Sequence, residues 1–247
     1  MATITVKSIS YSTYSSYINC SEAFWLAKIV KVKPLGVSSN LVFGSSIHAA
    51  CQAYFDYWRR FKQALPKETL YRIFRAHYYR TPENDILYSE KQGQKELFSM
   101  AEGLLSVLVE APMPEEVVSV EADKIIDLGD FRLIGRADLV TRDKGVLTIW
   151  DIKTARARYG WEELIRAQSQ LSTYALAHEE PVKLGVKLLL KQKTPSVEDI
   201  PIEYDKSCGE SVVEEMRKCI TGIEAGIHFK VKSFRCIQCG FRHICKP

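Results

Sequence analysis

The stretch that decides the fold runs from Val117 to Thr154 as three segments, VVSVEADKII (117–126), FRLIGRADLVT (131–141) and VLTIWDIKT (146–154), joined by LGD and RDKG. Apolar residues alternating with polar ones read as strands, and the Gly- and Asp-rich joints read as tight turns, so a three-stranded antiparallel meander is predicted. On the third strand Asp151 and Lys153 are two residues apart and share a face, while Trp150 and Ile152 point the other way into the core. Asp138, on the second strand, comes close to Asp151 if the turn at 143–145 sets the register. Two carboxylates at that distance repel each other unless a cation lies between them. Mg²⁺ or Mn²⁺ takes oxygen ligands octahedrally, and Asp138, Asp151 and the carbonyl of Ile152 supply one side of such a shell. A cation there polarises a phosphodiester and acidifies a bound water, with Lys153 placed to orient that water or to stabilise the developing charge.

Asp-x-Lys alone arises often by chance on a half-exposed strand, and three other features add weight to it. His48, in FGSSIHAACQAYF, sits at the start of a helical pattern. A lone histidine on such a helix is more often structural, yet imidazole beside two carboxylates biases a site toward Mn²⁺. Gln170 and Tyr174 are four apart and share a helix face, either as an ordinary polar face or as an amide and a phenol that hold a phosphate or stack on a base. Glu121 shares strand parity with Val117, Ser119 and Asp123, opposite Val118, Val120 and Ala122. It ranks below the aspartates, as a supporting contact or a solvent-facing residue.

Upstream the pattern is helical, with apolar residues at three-to-four spacing through Phe24, Leu26 and Ile29, then Ile47, Cys51, Tyr54, Phe55 and Trp58, then Leu70, Phe74 and Tyr78, then Leu97, Leu104, Leu105 and Leu108. Pro112 and Pro114 end it. Downstream, a helix is predicted from Trp161 to about His178, strands in VKLGVKLLLKQK (182–193) and EDIPIEY (198–204), and a last helix from about Glu210 to Ala225. The expected architecture is an α/β sandwich with a mixed sheet. It forms one domain over 1–247, with a mainly helical N-terminal region (1–112), a core (113–205), and a C-terminal helix with a cysteine tail (206–247).

A hydrophobic content of 46% is enough for one large core. No run of eighteen apolar residues and no basic, apolar leader occurs, which predicts a soluble cytoplasmic protein with no membrane partner. In a reducing compartment the 7 cysteines read as metal or cluster ligands rather than disulfides. Cys51, Cys208 and Cys219 lack ligand spacing and read as ordinary buried thiols. Cys20 stands near the start of the chain, and Cys236, Cys239 and Cys245 within its last dozen residues. Thiolates that distant act together only if the fold brings the two ends to one centre. The net charge of +4 does not by itself imply nucleic acid. Local clusters are more suggestive: Arg59, Arg60 and Lys62; Arg72, Arg75 and Arg80; Arg156 and Arg158; Lys183, Lys187, Lys191 and Lys193.

Taken in order, GSSIH, GRADLV, WDIKT and QLSTY, with SYSTYSSYINCSEAFWLAK before them and CIQCGFRHIC after, resemble the motif series of the PD-(D/E)xK nuclease superfamily in its RecB-like iron-sulfur branch. That branch includes CRISPR-associated RecB-type exonucleases, the AddB nuclease domain, and phage or archaeal viral relatives. The resemblance spans Ser10 to Cys245. It implies a restriction-endonuclease-like fold, with a mixed central sheet flanked by helices and a metal-cluster clasp joining the termini. It further implies a nuclease centre of His48, Asp138, Asp151, Ile152 and Lys153 with Mg²⁺ or Mn²⁺, and DNA contacts from Gln170, Tyr174 and Arg136. Cys20, Cys236, Cys239 and Cys245 would hold a [4Fe-4S] cluster.

Four thiolates satisfy tetrahedral zinc equally well, but one remote cysteine with a compact trio suits the family's cluster. Serine follows Cys20 where proline is frequent, and Gln52 stands four after His48 where an acidic residue is often found. Neither departure removes a ligand. The activity implied is a metal-dependent DNA exonuclease acting on single strands or ends, 5′ to 3′ by family, in recombination, repair or replication. The rival readings are a partner-dependent factor of CRISPR spacer acquisition and a non-catalytic zinc-binding nucleic-acid-binding protein. A homo-oligomer or a DNA-processing protein partner is compatible with either role. The aromatic and basic stretch from Tyr54 to Arg80 is a candidate guide for single-stranded DNA, with more of its aromatics assigned to the core than to contact.

Overall fold

The computed structural model describes residues 4–89 and 92–245, apart from the side chains of residues 234 and 238, so the expected domain limits at 1 and 247 lie outside it. The N-terminal half forms β1 (Ser8–Ser10), α1 (Tyr11–Asn19), α2 (Ser21–Phe24) continued by a π turn, β2 (Val37–Ser38), α3 (Ser39–Phe61), α4 (Lys67–Tyr78), β3 (Ile86–Leu87) and α5 (Gln94–Glu110). The meander follows as β4 (Glu116–Asp127), β5 (Arg132–Asp143) and β6 (Val146–Ala155). The chain then runs through α6 (Trp161–Ala175), β7 (Val182–Leu190), β8 (Ser196–Ile202) and α7 (Lys206–Glu224) to a short 3₁₀ turn (Phe234–Gln238).

The main sheet has the order β1-β5-β6-β7-β8, with β4 on the other edge of β5. It is mixed: β4, β5 and β6 pair antiparallel as expected, β6 and β7 pair parallel around α6, and β7 and β8 pair antiparallel. Lys144 and Gly145, both at positive φ, close the β5–β6 hairpin as a two-residue turn, the geometry that matches strand twist. The N-terminal region is not purely helical: β1 joins the same sheet, parallel to the start of β5.

Three apolar clusters cover the sheet. Helices α3, α4 and α5 bury Phe43, Ile47, Tyr54, Phe74 and Leu104 with Leu139 and Ile152 on one face. On the other face α6 buries Leu171 against Ile149, Val186 and Leu188. Helices α1, α2 and α7 pack with Ile9 and Leu133 near the chain's ends, where Tyr14 donates its hydroxyl to Glu215 and Tyr17 donates to the carbonyl of Ile227. With both faces covered, β6 is not the half-exposed strand that its alternation suggests: Asp151 is only 3% exposed. Its residue Trp150 lies over Gly185 of β7, where an added Cβ would meet the ring at 2.4 Å, and the indole donates to Thr141 Oγ1 at 2.9 Å. Because that bond holds the ring, Gly185→Ala is expected to cost about 2 kcal/mol, as overpacking of a close-packed site does, in urea unfolding at unchanged m-value.

Candidate active site

The site is built where the sheet splits. The edge of β5 pairs with β1 over Arg132–Ile134 and with β6 only from Leu139 onward, so Gly135–Asp138 has no strand partner on that side. Leu139 faces Trp150 in register, which leaves Asp138 and Asp151 as the next residues along two parting strands. Beyond that point β6 stays paired to β7 through Ala155. The side chain of Asp138 takes the place of the missing strand bond: its Oδ2 accepts the Ile152 N–H at 2.6 Å.

On the far side of β5, Glu121 stands within β4 between the pairs Val120–Leu139 and Ala122–Ala137, opposite Asp138, with φ 50°, a left-handed conformation strained for a non-glycine residue. The register slips between Val117 and Ser119, which breaks the strand parity from which Glu121 ranked low. Its carboxylate, that of Asp138 and the His48 imidazole offer ligand atoms that all lie within 4.8 Å of one another. His48 projects from α3, with Nδ1 3.6 Å from Asp138 Oδ2. Asp151 stands beside this group and is held by two donors, Lys153 Nζ at 2.7 Å and Gln170 Nε2 at 3.2 Å, both on Oδ1.

The electrostatics are those of crowded, buried acids. Burial, reinforced by the charge of Asp151, pushes the Asp138 carboxyl well above the usual range, and burial raises Glu121 as well. Burial lowers His48, aided by the Lys153 charge, so its imidazole stays neutral and able to ligate. Burial opposes the charge on Lys153, but Asp151 and Asp138 outweigh it and raise its pKa. Such a donor set, oxygen-rich with one imidazole, fits a hard divalent cation such as Mg²⁺ or Mn²⁺.

Gln170 and Tyr174 point at the carboxylates rather than outward: Gln170 also donates to the Tyr174 hydroxyl at 3.4 Å. The ring of Tyr174 lies on Gly135, where an added Cβ would meet Cδ1 at 3.0 Å. Burial pushes the Tyr174 phenol up to about 12. Arg136 does not join them; its guanidinium forms a two-pronged pair with Asp123, the residue opposite it on β4. The stretch from Tyr54 to Arg80 divides its aromatics: Tyr54, Phe55, Phe74 and Tyr78 are buried, while Phe61 and Tyr79 are exposed. Arg59 and Arg60 are tied to Asp56, and Arg158 to Glu198. By contrast Arg156 and Lys191, at the ends of β6 and β7, have side-chain hydrogen bonds, among the described residues, only to the amides of Gln92 and Asn40. Tyr159 escaped the sequence reading because it lies outside every motif. Burial raises it to about 12, and the charges of Lys153 and Asp151 also act on it.

A second group of residues lies at the chain's ends. Cys20, between α1 and α2, lines one narrow cavity of about 30 Å³ with Cys236, Cys239 and Cys245. The tail is tied to this corner by backbone bonds from Glu22 to Phe229 and from Leu35 to Gly240, and by stacking of Trp25 on His228. Cys51 and Cys219 are buried; Cys208 is only partly so.

The family described as the PD-(D/E)XK nuclease superfamily matches residues 8–246. The chain belongs to that superfamily. No curated protein matches it. Among solved structures, a "Putative exonuclease" from Eubacterium rectale is similar in fold, with TM-score 0.60 and 14% identity over 96% of this chain and 88% of that one. The protein SSO0001 aligns with TM-score 0.38 and 17% identity over 95% and 92% of the two chains. Membership of a superfamily of divalent-metal nucleases agrees with the donor chemistry at His48, Glu121 and Asp138. No helix among the described residues is long and apolar enough to cross a membrane.

The raised Asp138 pKa makes a prediction that needs no metal. The folded protein keeps that proton to higher pH than the unfolded chain does, so the group costs stability increasingly as pH rises from about 4, the ordinary Asp value. In chelator, Asp138→Asn, whose amide oxygen still accepts the Ile152 N–H, is therefore expected to be more stable than the parent. The gain should be about 2 kcal/mol at pH 8 and smaller at pH 5. Thermal unfolding across that range checks it.

Proposed function

We propose that this protein is a Mg²⁺- or Mn²⁺-dependent deoxyribonuclease that acts as an exonuclease on single strands or ends, in DNA recombination, repair or replication. The observation that carries this reading is the convergence of His48, Glu121 and Asp138 on one point beside the Asp151–Lys153 pair, in a nuclease-superfamily chain. Asp138, Glu121 and His48 would hold the cation, with Asp151 and the Ile152 carbonyl beside them. Bound there, the cation supplies a Lewis acid that polarises the phosphodiester and acidifies water.

The chain's own residues do the rest. Lys153, held 2.7 Å from Asp151, orients the attacking water and places positive charge where charge develops on the phosphorus oxygens. Gln170 fixes the rotamer of Asp151, and Tyr174 fixes Gln170. The amide-bonded Arg156 and Lys191 offer the DNA backbone cations that no carboxylate among the described residues neutralises. Asp151→Ala is expected to reduce Mn²⁺-dependent cleavage of labelled DNA by about a thousandfold or more, the loss of several kcal/mol of charge stabilisation. Equal activity in that variant would overturn the assignment.

For the cysteines the proposal is a structural [4Fe-4S] cluster. Cys20, Cys236, Cys239 and Cys245 line one cavity, and one remote cysteine with a compact trio suits a cluster. Cys20 and Cys236 are 216 residues apart (236 − 20), and closing so long a span is worth on the order of 5 kcal/mol by chain entropy. Cys20→Ala is expected to lose the visible absorbance of anaerobically purified protein together with stability of that order. An unchanged spectrum and melting temperature would refute the clasp.

A further inference from the structure

A cleft of about 380 Å³ opens directly beside the Asp151–Lys153 pair. One wall is α1, through Tyr11, Ser15 and Ile18; the other is Tyr159 with Arg166 of α6. Tyr11 donates its hydroxyl to the Arg166 carbonyl at 3.3 Å and bridges the two walls. Tyr11, Ser15, Ile18, Tyr159 and Arg166 of this lining serve none of the roles assigned above. Ile18 is an exposed apolar residue, 51% accessible, turned into the cleft. Among the described residues the Arg166 guanidinium has only a loose pair with Glu162, at 3.8 Å on a side chain 62% exposed. Glu163, the acid on the same wall, commits a carboxylate oxygen to the Gly160 N–H at 3.0 Å.

We infer that this cleft is a nucleotide subsite, which receives the unpaired nucleotide next to the scissile phosphate with its base against Tyr159 and its flanking phosphate at Arg166. The inference rests on the nuclease reading above and deepens it by naming a single-stranded segment as what enters. Three features support it. The volume stands near the low end of the range of about 300–1,000 Å³ typical of small-ligand sites, enough for one nucleotide and too little for a base pair. A phenol ring with a guanidinium is the pairing that sequence-tolerant single-strand binders use, the ring for the base and the fork for the phosphate. The cleft also shares Asp151, Lys153 and Gln170 with the candidate catalytic site, so its occupant lies within reach of the reacting groups.

The test uses the full chain and two readouts. Binding of a fluorescein-labelled oligothymidylate is followed by anisotropy in chelator, and KM and kcat are measured with Mn²⁺ on the same strand and on a blunt duplex. Tyr159→Leu and Arg166→Ala are each expected to raise Kd and KM for the single strand about fivefold or more, the lower end of what one lost stacked base costs, with a smaller change in kcat. Tyr159→Phe keeps the ring and should bind as the parent does. Ser15→Trp, which fills the cleft from the other wall, should weaken binding as Arg166→Ala does, at an unchanged melting temperature. Unchanged Kd and KM in Tyr159→Leu and Arg166→Ala would overturn the inference, as would equal loss of binding to the blunt duplex. A parent protein that cleaves no DNA would overturn the nuclease reading instead, and the binding measurements would still decide the cleft.

Discussion

The bond between Asp138 Oδ2 and the Ile152 N–H stands at the point where β5 and β6 part, and the candidate site depends on it. A buried strand edge normally satisfies its amides with a neighbouring strand; here β1 takes one half of the β5 edge and β6 the other, and a gap remains between them. Filling that gap with a carboxylate rather than a backbone carbonyl brings a negative charge into the sheet. Once Asp138 is there, Asp151 is its neighbour by register alone, and the charge of Asp151 makes Asp138 harder to ionise. The surrounding residues answer that cost: Lys153 and Gln170 bond to Asp151, and α3 brings a neutral imidazole to Asp138. Glu121 answers in the other direction, since it adds a third acid and does so from a strained backbone. A position that gathers acids at a conformational cost is arranged for a cation rather than for stability.

The same logic links the two ends of the chain to this centre. Helix α1 is tied to α7 by Tyr14 and Tyr17, ends at Cys20, and forms a wall of the cleft beside Asp151. Its position is therefore set at one end by the cysteine corner and along its length by α7. With no strand pairing of its own beyond the preceding three-residue β1, α1 relies on those contacts to keep its distance from α6.

Much of this was legible because period-two alternation is a local signal. The meander, its turns and the pair Asp151 and Lys153 follow from side-chain parity, and Asp138 follows once a two-residue turn sets the register. The acids' burial was not legible, because α6 covers Asp151 from a distance in sequence that no window reads. The setting of Glu121 was not legible for a different reason: parity holds only while the register runs unbroken, and it slips between Val117 and Ser119. Arg136 was grouped with DNA contacts by motif, yet cross-strand register places Asp123 opposite it, a pairing visible only after the β4–β5 alignment is known. Tyr159 carries no pattern at all; it matters because the chain leaves β6 and enters α6 there, next to the site's lysine.

The division of charge completes the picture. Several cations along the chain are paired with nearby acids, as Arg59, Arg136, Arg142 and Arg158 show. Arg156 and Lys191, which bond to amides instead, stand at the strand ends that continue past Lys153, and loosely held Arg166 stands at the cleft on the other side of β6. The modest net charge of +4 conceals this arrangement, because what a polyanion meets is the uncompensated charge around the acids and not the sum over the chain. Under the proposed function, a phosphodiester brought in by those cations would arrive where buried carboxylates would hold a divalent ion, so attraction of the substrate and retention of the metal would come from the two halves of one charge distribution.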